Sequence, residues 1–91
     1  MKITSYDEFE RRLKGAIVII DELASEVPEG ATISIQKQLH ALEEWTVGGA
    51  KPTQDQKDSL NFGLLASRYV DDIDQSLAQE LYSLASYVTY W

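Results

Sequence analysis

The segment from Leu60 to Asp74, which reads LNFGLLASRYVDDID, constrains the fold more than any other part of the chain. Its apolar residues fall on more than one side of a helical wheel, which is typical of a central helix contacted on several faces. Gly63 lies in its middle, where glycine costs about 1 kcal/mol relative to alanine. The usual compensation is the close approach of another backbone, so we expect a tight helix crossing at Gly63.

The same segment ends in three carboxylates, Asp71, Asp72 and Asp74, which cannot be buried cheaply. Asp74 can cap a following helix, because an aspartate side chain accepts hydrogen bonds from the first amides of a helix. Exposed carboxylates can also form part of a binding surface. The sequence supports the capping role directly and leaves the second role open.

The length of the chain predicts a single domain over residues 1–91. Of these residues 44% are hydrophobic, which suffices for one modest core. Cysteine is absent, and the start of the chain lacks the apolar stretch of a signal peptide. The longest apolar run, Ala16 to Ile20, is too short to span a bilayer. We therefore expect a cytoplasmic protein that does not bind membranes.

The charge of the chain restricts its partners. It carries 15 acidic and 8 basic residues, for a formal charge of −7. Nucleic acid and anionic membrane surfaces would be repelled. A basic protein would be attracted, although the same charge also serves simple solubility.

The first helix is predicted to begin at Ser5, which has capping-box spacing with Glu8. A single apolar stripe follows and ends at Pro28. The run Ile17 to Ile20 is wholly β-branched and is also compatible with a buried strand. The cap and the long stripe favour a helix. Val18 and Ile19 widen its apolar face, so we expect contact with two neighbours.

The second helix is predicted to begin near Thr32 or Ser34, both good capping residues, and to end at Gly48 and Gly49. Trp45 closes its apolar stripe.

The third helix is predicted to begin at Thr53, which has capping-box spacing with Gln56, and to run to about Asp72. A fourth helix follows Asp74. These elements predict an all-α fold, a small antiparallel bundle of four helices.

Few residues offer catalytic chemistry. His40 is the only histidine, and we expect an ordinary surface residue that can pair with Glu43 or Glu44 on the same helical face. Neither a cysteine nor a second histidine exists to build a metal site with it. We predict no enzyme activity, no cofactor, no metal and no small-molecule substrate. A small enzyme would need a pocket with convergent polar groups, which the sequence does not indicate.

The aromatic residues at the end of the chain leave two interpretations open. Tyr87, Tyr90 and Trp91 can form an interface, since Tyr and Trp are enriched in binding hot spots. They can equally close the end of a small core.

Two stretches, Ser34 to Leu39 (SIQKQL) and Leu60 to Val88, resemble the small helical immunity proteins that neutralise NAD(P)+-glycohydrolase effectors of bacterial type VI secretion systems. The chain departs from that pattern at Val70, where an aromatic residue is usual. The residues that carry the resemblance are Lys37, Gln38 and Leu39, then Leu60, Gly63 and Ala66, then Arg68, Val70, Asp71, Asp72 and Asp74, and finally Leu77 and the stretch Tyr82 to Val88.

The resemblance implies inhibition by binding. The partner is expected to be a cognate toxin domain that destroys a dinucleotide pool, and the immunity protein is expected to cover its active site. Charge and placement suggest seven partner-binding residues: Glu43, Glu44, Trp45, Tyr69, Asp71, Asp72 and Asp74. The alternative is a helical adaptor or chaperone-like module that binds its partner without inhibiting an enzyme.

Overall fold

Helices supply the regular structure of the computed structural model, which describes residues 2–91. Within that range the elements are α1 (Tyr6–Glu26), α2 (Gly30–Trp45), a 3-10 turn (Val47–Gly49), α3 (Gln54–Asp58), α4 (Phe62–Leu65), a π-helical turn (Ala66–Val70) and α5 (Gln75–Tyr90). The π turn continues α4 directly. The bundle therefore consists of α1, α2, the α4–π segment and α5, with α3 as a short addition, and the predicted all-α fold of four helices is confirmed.

Helix α1 begins as predicted, because the Ser5 hydroxyl accepts the N–H of Glu8 at 3.2 Å. The β-branched run is helical, and α1 packs against both α2 and α5. The expectation that Val18 and Ile19 make these contacts is wrong. Their exposed fractions are 59% and 43%, since the buried stripe around Phe9 and Leu13 turns them toward solvent.

Helix α2 begins at Gly30, before the predicted Thr32 or Ser34. Thr32 is buried, and its hydroxyl accepts the N–H of Glu29 at 3.1 Å and donates to the carbonyl of Val27 at 2.6 Å. The residue that was predicted to precede the helix therefore lies in its first turn and closes that turn from inside.

The prediction of one continuous helix from Thr53 to Asp72 is wrong. The capping box of Thr53 and Gln56 is present, but α3 ends at Asp58. Asn61 then donates its N–H to Gln38 Oε1 at 2.8 Å, and Gln38 Nε2 donates to Asn61 Oδ1 at 2.6 Å. Because a side chain of α2 binds this backbone amide, the helical hydrogen bonding is interrupted, and α4 begins in a new direction.

The tight crossing expected at Gly63 is confirmed. A Cβ atom added to Gly63 would lie 3.0 Å from the Cβ of Ala85 on α5. Phe62 and Ala66, on either side of this contact, are buried in the common core.

Aromatic rings close one end of the core. The Phe9 ring stacks on Tyr87 with centroids 4.9 Å apart and meets the edge of Trp91 at 5.4 Å. Tyr6 packs on Trp91, with centroids 5.8 Å apart. Two of the three aromatic residues near the end of the chain therefore belong to the core, whereas Tyr90 is 87% exposed.

An ion-pair network joins α1 to α5. Arg12 binds the carboxylate of Glu80 with two guanidinium nitrogens and that of Glu8 at 3.2 Å. Glu8 also accepts the N–H of Thr4 at 3.2 Å. This amide, followed by the Arg12 guanidinium, lowers the pKa of Glu8 below its ordinary value.

Gly63→Ala is expected to lower the free energy of unfolding by about 1 kcal/mol, because the strain of overpacking exceeds the gain in helix propensity. The methyl of Ala85 has no rotamer into which it could move away. Gly15→Ala is the matched control, since nothing lies within 4 Å of a Cβ at this helical glycine. That variant should gain up to about 1 kcal/mol in urea unfolding. Equal gains for both variants would contradict the close crossing.

Glu8→Gln is expected to destabilise the protein at neutral pH and to lose that effect in acid. The pKa of Glu8 in the folded protein lies below its ordinary value of 4.5, so the stabilisation is present above 4.5 and disappears as the pH falls through the folded-state pKa. The difference between variant and wild type in free energy of unfolding should therefore shrink below about pH 4.5.

Glu22→Gln is the control for this pH series, because Glu22 is exposed and forms no hydrogen bond or ion pair within residues 2–91. A difference for Glu8→Gln that stayed constant over the whole pH range would show that the network contributes nothing through the charge of Glu8.

Candidate protein-binding surfaces

His40 belongs to a link between α1 and α2. The expected pairing with Glu43 or Glu44 is wrong, since His40 Nε2 lies 2.9 Å from Asp21 Oδ1. Gln36 donates to the same oxygen at 2.9 Å. This amide, and then His40, lowers the pKa of Asp21. Within residues 2–91 no three His, Cys, Asp or Glu side chains gather to hold a metal ion, and no helix is long and apolar enough to cross a membrane.

The seven residues predicted to bind a partner lie in two groups at opposite ends of α2. Tyr69 lines a depression together with Glu29 and Gly30, at the beginning of α2. Glu43 and Glu44 lie near its end. At about 1.5 Å per residue the two ends are about 20 Å apart. The fold therefore separates the predicted residues into two surfaces.

The first surface is the acidic corner, defined as residues 69–74. Tyr69 and Ile73 expose 49% and 54% of their surface, and Asp71 and Asp72 are exposed between them. Neither carboxylate forms an ion pair or hydrogen bond with any other residue in the 2–91 range. The corner thus combines accessible apolar side chains with uncompensated negative charge.

Asp74 has a structural role within this corner. Its carboxylate accepts the N–H of Leu77 at 3.0 Å and caps α5, as the sequence predicts. Asp71 instead acts on Tyr82 of α5 through its charge. The pKa of Tyr82 is raised, first by burial of its hydroxyl and then by the negative charge of Asp71. The three carboxylates are therefore not equivalent.

A π-helical turn presents the acidic corner. The N–H of Asp71 donates to the carbonyl of Ala66, five residues earlier, at 3.0 Å. Val70 points into the core, whereas its neighbour Tyr69 points outward. Such turns are rare and occur frequently at functional sites. Apolar periodicity does not reveal them, which is why the sequence suggested an ordinary helix here.

The second surface is a cleft of about 500 Å³ between the start of α1 and the end of α2. Glu43 and Glu44 line it together with Glu10. Glu43 and Glu44 make no hydrogen bond or ion pair to any residue from 2 to 91. Trp45 is half-buried and packs against the core, so only part of this predicted anchor is accessible.

Tyr6 forms the polar end of this cleft. Its hydroxyl lies 2.7 Å from the carbonyl oxygen of Thr46 and 2.9 Å from Glu10 Oε2. Burial raises the pKa of Tyr6, and the neighbouring Glu10 adds to the increase. The hydroxyl stays protonated and fixes the start of α1 to the end of α2.

A groove of about 970 Å³ beside α5 was not predicted from the sequence. It forms because Ile3, before α1, is buried against the bundle and brings Lys2 and Thr4 alongside Tyr82. The aromatic residues near Trp91 were the only signal for it. Tyr87 and Trp91 pack against the core, so their presence near the end of the chain is explained without a binding partner.

Asp74→Ala is expected to lower the free energy of unfolding by about 1 kcal/mol through loss of the cap, whereas Asp74→Asn should be nearly neutral. Asp71→Ala and Asp72→Ala, at exposed positions without partners, should each change it by less than about 0.5 kcal/mol. Urea unfolding of the four variants measures this. A neutral Asp74→Ala would remove the capping role and leave Asp74 as part of the binding surface alone.

Comparison with known proteins identifies the family. The sequence model of the family Tsi6 matches residues 7–89, which include every helix except the first residue of α1 and the last of α5. No curated protein and no solved structure matches the chain significantly. Because the match covers far more than half of the 91 residues, the chain belongs to the Tsi6 family of type VI secretion immunity proteins.

Proposed function

We propose that this protein is the cytoplasmic inhibitor of a toxin that consumes NAD(P)+, and that it acts by covering the toxin's active site. An immunity protein of this family binds a cognate toxin protein. The resemblance of Leu60 to Val88 to inhibitors of NAD(P)+ glycohydrolases supports the substrate class. The single observation that carries the mode of binding is the acidic corner, with exposed Asp71 and Asp72 beside exposed Tyr69.

Charge complementarity supports active-site coverage. An enzyme that binds an anionic dinucleotide presents positive groups in its cleft, and these attract an acidic protein surface. The inhibitor carries a formal charge of −7, and Asp71 and Asp72 have no internal counter-ion within residues 2–91. Such charges increase the association rate and fix the orientation of the complex more than they increase affinity.

The apolar part of the corner supplies the affinity in this mechanism. Interfaces are stabilised chiefly by a few well-packed residues, among which tyrosine is enriched, surrounded by a polar rim. Tyr69 and Ile73 are accessible enough to enter a pocket, and Asp71 and Asp72 lie between them along the chain. We assign Tyr69 the role of anchor.

The second surface has a supporting role. Glu43 and Glu44 lie about 20 Å from the corner along α2, which is within the reach of an ordinary interface of roughly 800 Å² per partner. In this proposal they contact basic residues at the rim of the toxin cleft, and the exposed part of Trp45 packs beside them. Asp74 contributes mainly through the cap that holds the corner in shape.

Co-expression with the cognate toxin, which we expect to be encoded beside this protein, tests the proposal. Growth and cellular NAD+ should both be preserved, because the bound inhibitor excludes the dinucleotide. If the two proteins form a stable complex and NAD+ is nevertheless lost, active-site coverage is wrong and the adaptor interpretation replaces it.

Variants of the corner should weaken the complex without unfolding the inhibitor. Tyr69→Ala is expected to raise the dissociation constant about thirtyfold, as for a hot-spot residue. The double variant Asp71→Asn, Asp72→Asn should raise it about tenfold and reduce its dependence on salt. The matched control is Asp55→Asn, Asp58→Asn, which removes two exposed charges from α3. Equal effects from both double variants would mean that only net charge matters.

A further inference from the structure

The outward face of α1 carries an apolar patch that the core does not use. Val18 is 59% exposed and Ile19 43% exposed, in the middle of a helix of 21 residues. β-Branched residues have lower helix propensity than leucine or alanine, so local structure does not favour them at solvent-facing helical positions. Ile19 also lines a shallow depression together with Asp74 at the start of α5. The proposed toxin contacts around Tyr69 and in the α1–α2 cleft include neither Val18 nor Ile19.

Charges on both sides of this patch have opposite signs. Arg11 and Lys14 precede it, and Glu22 and Glu26 follow it, all at exposed positions. Within residues 2–91, Arg11, Glu22 and Glu26 form no ion pair, and Lys14 reaches Glu10 only at 3.9 Å. Basic residues are absent from the last turn of α1, where the helix dipole would favour them. The charges therefore do little to stabilise α1 itself.

We propose that this face binds the same face of a second copy of the chain, with the two α1 helices antiparallel. Lys14 lies four residues before Val18 and Glu22 four residues after it, which puts all three on one side of the helix. A two-fold axis beside Val18 then brings Val18 of both copies together. The basic half of each helix faces the acidic half of the other.

The symmetry makes the surface complementary to itself, as a two-fold interface requires. Arg11 and Lys14 of one copy lie near Glu22 and Glu26 of the second copy, at both ends of the contact. Gly15, on the same side, has no atom within 4 Å of the position of a Cβ, so no neighbouring side chain obstructs the approach. A parallel arrangement would instead put like charges opposite each other.

The size of the face sets the strength of the association. From Arg11 to Glu26 the helix extends about 22 Å and is about 10 Å wide, which gives roughly 200 Å² per copy. Stable complexes bury about 800 Å² per partner. The pair is therefore weak, with a dissociation constant on the order of 0.1 mM, and it exchanges rapidly.

Sedimentation equilibrium with charge-reversed variants tests this pairing. Arg11→Glu with Lys14→Glu makes the face wholly acidic, and Glu22→Lys with Glu26→Lys makes it wholly basic. Each variant alone should be monomeric, whereas an equimolar mixture should pair at least as strongly as wild type, because every contact is again between opposite charges. For the wild-type protein, raising the salt concentration from about 0.1 M to about 1 M should weaken the pair about tenfold, as the screening length falls to about 3 Å.

A single cysteine tests the position of the axis, since the natural chain contains none. Val18→Cys should form a disulfide-linked dimer under mild oxidation. Tyr90→Cys, at a more exposed position, should remain largely monomeric. Circular dichroism of each variant verifies folding.

Monomeric wild type at all concentrations would overturn the proposal. So would a mixture of the charge-reversed variants that fails to pair, or equal crosslinking of the two cysteine variants. If Val18→Asp weakened toxin binding while the wild type stayed monomeric, the face would belong to the toxin interface instead. The oligomeric state and the crosslinking do not depend on preservation of NAD+, so the two proposals fail separately.

Discussion

The contact between Gly63 and Ala85 sets the distance between the α4–π segment and α5, and the candidate binding surface depends on that distance. With only 3.0 Å available to a Cβ at Gly63, the two helices are nearly in backbone contact. Phe62 and Ala66 can then fill the core from either side of the crossing. A wider separation would leave a void beneath the π turn, from which the acidic corner projects.

Two further interactions orient this segment. The amide pair of Gln38 and Asn61 ends the preceding helical path and starts α4 in its own direction. At the other end, the cap formed by Asp74 starts α5. Between Asn61 and Asp74, the π-helical turn directs the side chain of Val70 into the core and that of Tyr69 toward solvent. The exposed residues of the corner thus lie between two hydrogen-bonded ends, at Asn61 and at Asp74, and their positions are set in the folded bundle without rearrangement of a loop.

Much of this architecture follows from local sequence signals. Ser5, Thr53 and Asp74 cap helices as predicted, because a cap involves residues only three positions apart. The crossing at Gly63 was predictable because close approach of another backbone is the usual compensation for glycine in a helix interior, although Gly15 in α1 has no such neighbour.

Two of the errors originate in contacts between distant parts of the chain. The end of the helical path before Asn61 depends on a hydrogen bond to Gln38, 23 residues away. The contact of His40 is made with Asp21, which lies on another helix. The exposure of Val18 was hidden because a run of four apolar residues has no period from which to assign an inward side. For the candidate binding residues, charge and residue type selected exposed or partly exposed positions, but only the fold separates these positions into two surfaces.

The π turn also has a consequence for how such a protein can change partners. It holds one more residue than an α-helical turn, so it is equivalent to a one-residue insertion within a helix. Removing that residue would rotate the residues that follow it by about 100° around the helix axis. The rotation would extend as far as Asp74, which caps α5. A gain or loss of one codon between Ala66 and Val70 can therefore redirect the exposed residues of the acidic corner. Such a change lies after the crossing at Gly63, so the exposed surface of the corner can change while that crossing stays in place.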